Sequence, residues 1–300
     1  MIVTTPTAAS AIPITIVGGY LGAGKTTLVN HLLRHADGLR LGVLVNEFGE
    51  LPIDRDLIEA ETDNVIAIAG GCVCCSYGND LIFAMTELAA IDPPVDHVVL
   101  EASGVGIPNA IAATVGLMQS YVHDGVVVLA DAETIKTATA DRYMGDTVRA
   151  QLQDADIIIL NKADLVSGGE LKNTDDWLRT LAPQARMVTA TRAMVAPSVV
   201  LQSFVDRDRV PASITQPADA QYQSVRLPAS EPIAPEVLAQ SLIDDGFVRA
   251  KGFVPALDGR LATVQVVGRR WEISDAPEGV TPGIVGKRIG DNISGREKSK

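Results

Sequence analysis

Between residues 12 and 204, short apolar runs rich in Val, Ile and Leu alternate with segments of helical period. That alternation leaves few architectures. Strands buried on both faces, each followed by a helix, build a mostly parallel sheet covered by helices. The strand runs are residues 12–17, 41–45, 65–68, 97–100, 125–129, 157–160 and 186–188. Helical patterns occupy 25–35, 79–91, 147–153 and 170–181. Period alone does not separate short strands from buried helix, so length and β-branched content decide. The chain is 47% apolar but only 4% aromatic, so its core must be packed from Val, Ile, Leu and Ala.

The pattern changes after residue 205. Residues 206–221 mix charges, prolines and small polar side chains and read as a linker. Beyond it come strand-like runs at 222–227, 246–254, 261–267 and 270–273, with a helix at 235–244. The expectation is an α/β domain over 12–205 and a small α+β domain over 222–293, with a disordered tail from Ser294. No internal repeat is visible. A net charge of −12 argues against a nucleic-acid surface. No apolar run is long enough to span a bilayer. Residues 1–11 lack the basic and apolar regions of a signal peptide. A reduced, cytoplasmic compartment is expected.

Gly19-Tyr20-Leu21-Gly22-Ala23-Gly24-Lys25-Thr26 follows the first strand run and opens the first helix. It fits the phosphate-loop pattern in the context that pattern requires. The glycines let backbone N–H groups curl around a phosphate chain, and the helix N-terminus adds partial positive charge. Lys25 is placed to reach the β- and γ-phosphates, and Thr26 to ligate Mg²⁺. The bland alternative is a glycine-rich turn that caps a strand.

Four further segments extend this site. Asn161-Lys162-Ala163-Asp164 follows the strand run 157–160. An Asn-Lys-x-Asp at a strand end suits guanine, whose N1–H and 2-amino group can both donate to the Asp164 carboxylate. The alternative is a helix cap at Asp164. Thr189-Ala190-Thr191 is a candidate for a second base contact. In Glu101-Ala102-Ser103-Gly104, a strand delivers an acid beside Mg²⁺ and a glycine beside the γ-phosphate. Asn46-Glu47-Phe48-Gly49-Glu50 stands where a switch loop is expected, with a solvated acidic loop as the alternative. The candidate nucleotide contacts are therefore Gly19, Gly22, Ala23, Gly24, Lys25, Thr26, Thr27, Gly104, Asn161, Lys162 and Asp164. Lys25, Glu101 and Glu47 are the candidate catalytic groups. The expected ligand is GTP with Mg²⁺.

All three cysteines lie within four positions, at Cys72, Cys74 and Cys75. With no cysteine elsewhere they form no disulfide framework and cannot make a four-cysteine zinc site. Thiolates this close suit Zn²⁺, Co²⁺ or Cu(I), and an open fourth position suits an ion that must be released. Small buried hydrophobes or a redox pair are the alternatives. Glu50, water or a client could complete the coordination, and Thr26 is the candidate Mg²⁺ ligand. His31 and His35, at i and i+4 on the first helix, read as its exposed face rather than as metal ligands.

Taken in order, the phosphate loop with Thr27, the 45–50 segment, Gly71-Cys-Val-Cys-Cys75, Glu101-Ala-Ser-Gly104 and Asn161-Lys-Ala-Asp-Leu165 resemble CobW-like GTPases. That family includes zinc-regulated GTPase metalloprotein activators, cobalamin-pathway proteins and nitrile hydratase activators. Val248-Arg-Ala-Lys-Gly252 and the run 284–289 resemble later family strands. The resemblance implies a P-loop GTPase domain with a small C-terminal domain, and slow hydrolysis of Mg²⁺-bound GTP. It also implies a divalent ion, Zn²⁺ or Co²⁺, at the cysteines, whose affinity or transfer to a client metalloprotein follows the nucleotide state. Departures are the lack of any histidine after His123, a short C-terminal region and no N-terminal Cys-Pro docking peptide. These leave the client unnamed, and the oligomeric state, a homodimer included, stays open. Two other classes compete. A small-molecule kinase would need an arginine-rich lid, and none stands out. A non-enzymatic zinc buffer would not need Lys25, Thr26 and Glu101.

Overall fold

The structure is a computed structural model that describes residues 11–36, 38–46, 65–70, 79–201, 222–277 and 280–289. Seven parallel strands form the larger sheet: β1 (Ile12–Gly19), β2 (Leu41–Asn46), β3 (Val65–Gly70), β4 (His97–Glu101), β5 (Tyr121–Asp131), β6 (Ile157–Asn161) and β7 (Arg186–Thr189). Their order is β3-β2-β4-β1-β5-β6-β7. Each expected strand run lies inside one of these elements. The helices are α1 (Lys25–Arg34), α2 (Asn79–Ala89), α3 (Pro108–Val115), α4 (Ile135–Ala140), α5 (Gly145–Gln153), α6 (Gly168–Leu181) and the short α7 (Pro197–Val200).

Alternation along the strands explains the two cores. Ile14, Ile16, Val98, Leu100, Val126 and Val128 face one side, where they pack on Met85, Leu88, Leu152 and Leu178 from α2, α5 and α6. Val17, Val99, Val127 and Leu129 face the other side and pack on Leu28, Val29 and Leu32 of α1. The same period of two places His97 and Glu101 on the α1 face of β4, at opposite ends of the strand. Three helices escaped the sequence reading. α3 and α4 are short and rich in Ala and Thr, so they show little contrast between faces, and α7 is a single turn.

A second, antiparallel sheet follows: β8 (Tyr222–Leu227), β9 (Phe247–Pro255), β10 (Leu261–Val267), β11 (Arg270–Asp275) and β12 (Gly283–Ile289), ordered β11-β10-β9-β12-β8. The helix α8 (Pro235–Asp244) covers it, and Ala239, Leu242 and Ile243 pack on Phe247, Val254, Val264 and Ile284. The expected α/β architecture with a small C-terminal α+β part is the one found. The proposed linker, 206–221, and the tail from Ser294 lie outside the described residues.

The second sheet is fastened near the amino ends of β4, β5 and β6. Val248 and Val267 belong to the α1-side core. A register shift between Ile14 and Thr15 marks a bulge at Asp124 in β5. Asp124 is fully buried and accepts from Thr15 Oγ1 (2.8 Å) and, through both its oxygens, from Arg249 Nη1 (2.9 and 2.8 Å). His97 Nε2 lies 3.6 Å away. Burial alone would raise the Asp124 pKa, but Arg249, His97 and Thr15 hold it below the usual carboxylate value. Arg270 repeats the contact on Asp156 (2.9 Å), and Arg186 donates to the Ile243 carbonyl.

Candidate nucleotide site

The carboxyl ends of β1, β4, β5 and β6 meet at one edge of the larger sheet, where parallel folds bind ligands. β1 runs straight into the glycine loop, and Gly19, Gly22 and Gly24 all have positive φ. Gly24 shows why the residue type matters. Its φ is 104°, and a Cβ there would fall 2.5 Å from Asn161 Nδ2. Gly24 also serves as the N-cap of α1 and gives no side-chain cap, so the first N–H groups of that helix are not consumed by one.

Lys25 folds over the loop. Its ammonium donates to the carbonyls of Gly19 (3.0 Å) and Tyr20 (3.4 Å). Burial lowers its pKa, and the nearby Glu101 carboxylate opposes that shift. Thr26 lies on the exposed side of the same turn and donates through Oγ1 to Glu101 Oε1 at 2.9 Å. Thr27 is exposed beside it. A hydroxyl and a carboxylate in contact at the mouth of a phosphate loop are the hard oxygen donors that Mg²⁺ accepts alongside phosphate oxygens. These residues fit that ion.

Gly104 closes the other side. It abuts Leu21 of the glycine loop, where an added Cβ would fall 2.5 Å from Leu21 Cδ2 and 3.1 Å from Leu21 N. Gln151 of α5 donates to the carbonyls of Gly104 (3.2 Å) and Gly106 (2.7 Å). Sequence reasoning missed Gln151. The available signal was its place among Val148 and Leu152 on the buried stripe of a helix.

Asn161 ties its own segment to the glycine loop. Its Nδ2 donates to the Ala23 carbonyl (2.9 Å), and its Oδ1 accepts from Ala193 N (2.8 Å). Lys162 has φ 60° and donates to Asp131 Oδ2 at 2.7 Å. Asp131, at the end of β5, was also missed; an acid closing an apolar strand was its signal. Asp164 is exposed in a 3-10 turn over Ala163–Leu165. It does not cap α6. Ser167 does, in a capping box with Glu170. Ala190 accepts from Ala163 N, and Thr191 is exposed next to it.

His31 corrects an expectation. It is buried, not surface-facing, with Nε2 at 2.9 Å from the Val195 carbonyl, because residues 193–201 pack over α1. Burial lowers its pKa. Cys72, Cys74, Cys75, Glu47 and Glu50 lie outside the described residues. Among the described residues, no group of three or more His, Cys, Asp or Glu side chains could hold a metal ion. Among the same residues, no helix is long and apolar enough to cross a membrane.

A family model described as the CobW/HypB/UreG nucleotide-binding domain matches residues 13–189. Among curated proteins, the zinc chaperone CobW of Sinorhizobium sp is 33% identical, with 63% of this chain and 62% of that protein covered. The zinc chaperone YjiA of Escherichia coli K12 is 35% identical, with 60% and 58% covered. Zinc-regulated GTPase metalloprotein activator 1 of Dictyostelium discoideum is 28% identical, with 64% and 48% covered. The chain thus spans about half to three fifths of the length of these relatives. Among solved structures, a Zn(II)-bound triple mutant of the YjiA GTPase has a TM-score of 0.50 at 24% identity, covering 94% of this chain and 95% of that one, a likeness of fold. With the model matching more than half of its length, the chain belongs to the CobW/HypB/UreG nucleotide-binding family.

Proposed function

We propose that the protein is a GTPase whose nucleotide state governs a divalent metal ion, Zn²⁺ or Co²⁺, held at Cys72, Cys74 and Cys75 and passed to a client metalloprotein. The observation that carries the nucleotide part is the Asn161 side chain. It joins Ala23 of the phosphate loop to the Ala193 backbone, so the phosphate and base subsites form one connected unit. In this reading Lys25 and the α1 N-terminus hold the phosphates, and Thr26 and Glu101 hold Mg²⁺. The bound ion would neutralise charge that develops on the transferring phosphoryl group. The exposed Asp164 carboxylate accepts from guanine, and Gly104 contacts the γ-phosphate. Hydrolysis then rests on positioning and charge stabilisation rather than covalent chemistry, with Glu47 a candidate to orient water.

Two further facts support the metal part. The family relatives carry names that include "zinc chaperone" and "zinc-regulated GTPase". In the sheet, Asn46 pairs with Gly70 and Val45 with Glu101. Gly70, just before the cysteine segment, and Asn46, just before Glu47, therefore both end at the edge that carries Glu101. A γ-phosphate there can bias both segments. The nucleotide part is tested by measuring affinities for GTPγS and ATPγS with Mg²⁺, in the wild type and Asp164→Asn. The reading expects GTPγS to bind at least roughly tenfold tighter, with the preference largely lost in the variant. Equal affinities in the wild type would overturn it.

A further inference from the structure

The loop between β4 and α3 carries Gly104 and Gly106 within three residues. Left to itself, such a backbone samples several peptide orientations. Gln151 removes that freedom. It comes from α5, 47 and 45 residues away along the chain, and spends its amide protons on the Gly104 and Gly106 carbonyls. Gly106 N in turn donates to the Ser103 carbonyl at 2.9 Å. The opposite side of Gly104 rests on Leu21 of the phosphate loop. The loop is thus held between the Gln151 amide and the phosphate loop.

Packing does not account for an amide at this position. Gln151 is 1% exposed, and among the described residues its Oε1 has no hydrogen-bond partner. Ser103 Oγ, in the same loop, is likewise buried without one. A buried acceptor without a donor is a standing cost, and Leu or Met would fill nearly the same volume without it. The two amide protons are what an apolar side chain cannot supply.

We propose that Gln151 is a positioning residue for the γ-phosphate side of the nucleotide site. It holds the Gly104–Gly106 backbone in the orientation that presents Gly104 to a terminal phosphate, and it thereby sets the preference for nucleoside triphosphate over diphosphate. The proposal rests on the reading of Gly104 as the γ-phosphate contact. A diphosphate does not reach Gly104, so losing the clamp weakens triphosphate binding selectively.

The test measures GTPγS and GDP affinities, with Mg²⁺, for the full chain and for Gln151→Leu, with Gln151→Met in reserve should the leucine variant fail to fold. Val148→Ala is the control, because Val148 is buried on the same helix and its side chain has no group that can hydrogen-bond the loop's carbonyls. We expect Gln151→Leu to weaken GTPγS by roughly tenfold or more and GDP by less than about twofold. Val148→Ala should lower thermal stability and leave the ratio alone. A wild type that binds both nucleotides, with a Gln151 variant that weakens both equally, would overturn the proposal and spare the reading of function. A matching loss of ratio in Val148→Ala would reduce Gln151 to a structural role. A wild type that binds neither nucleotide overturns both.

Discussion

Replacing Arg249 by methionine probes how the second sheet is fastened. The guanidinium is 3% exposed and its partner Asp124 is fully buried. Methionine keeps most of the aliphatic volume, so the loss is chiefly charge and hydrogen bonds. Asp124 keeps Thr15 at 2.8 Å and His97 at 3.6 Å, but it loses the guanidinium paired with both its oxygens. Breaking a buried pair by removing one partner costs about 3–5 kcal/mol. At roughly 2–4 °C per kcal/mol, the melting temperature should fall by roughly 10 °C near pH 8. The pH dependence gives the sharper signature. In the wild type the folded Asp124 pKa is depressed, so its contribution is present above the unfolded value of about 3.9 and is lost only as pH falls through the lower folded pKa. Without Arg249, desolvation dominates and the folded pKa rises. Stability from that group is then present at low pH and lost as pH rises through the folded value. Where the variant's folded Asp124 is protonated and the unfolded chain's is not, each unit of acidification regains about 1.4 kcal/mol. His97, 3.6 Å from the Asp124 carboxylate, and His123, whose pKa the Asp124 charge raises against burial, face the same group. Lys251, whose pKa burial lowers and the Asp124 charge raises, and Arg270, which donates to the Asp124 backbone carbonyl, are the other cations near Asp124. Thermal melts from pH 8 to 5 should therefore show the gap between wild type and Arg249→Met narrowing. A gap under about 1 kcal/mol, or one that ignores pH, would refute the picture of a dry ion pair joining the sheets.

Other substitutions test the site and its supports. Lys25→Ala removes the ammonium that faces the phosphate loop, and GTPγS affinity measured by calorimetry should drop by roughly a hundredfold. Asn161→Ala leaves the Ala23 carbonyl and Ala193 N–H unpaired, which should cost about 2–4 kcal/mol in urea unfolding and weaken GDP and GTPγS alike. Ser167→Ala removes the α6 cap, so unfolding should shift by about 1 kcal/mol with no change in nucleotide affinity. Burial lowers the pKa of His31 and His123, so the unfolded chain takes up protons first as pH falls below about 6.5. Stability should decline over that range, and His31→Gln should flatten the slope; an unchanged slope would contradict the assignment.

The seven parallel strands were legible because burial on both faces writes each one as a continuous apolar run. The glycine loop between β1 and α1 was legible because its residues are contiguous and its geometry needs particular residue types at fixed spacing. What stayed hidden depends on pairs distant in the chain. Asp124 and Arg249 lie 125 positions apart, and Gln151 meets Gly104 across 47. Only faint local signals exist for them. Gly125 follows an acid inside an apolar run and marks the bulge, and Gln151 falls on a buried helical stripe. His31 was misjudged because an i, i+4 pair says nothing of what later packs over the helix.

The central claim is that nucleotide state governs metal affinity at the cysteines. Zn²⁺ affinity, measured by competition with a chelator in the presence of GTPγS, of GDP and of no nucleotide, tests it most directly. The account predicts distinct affinities for the GTPγS and GDP states, with the difference abolished in a Cys74→Ser, Cys75→Ser double variant. Identical affinities in all three states, or tight Zn²⁺ binding that survives the double substitution, would contradict it.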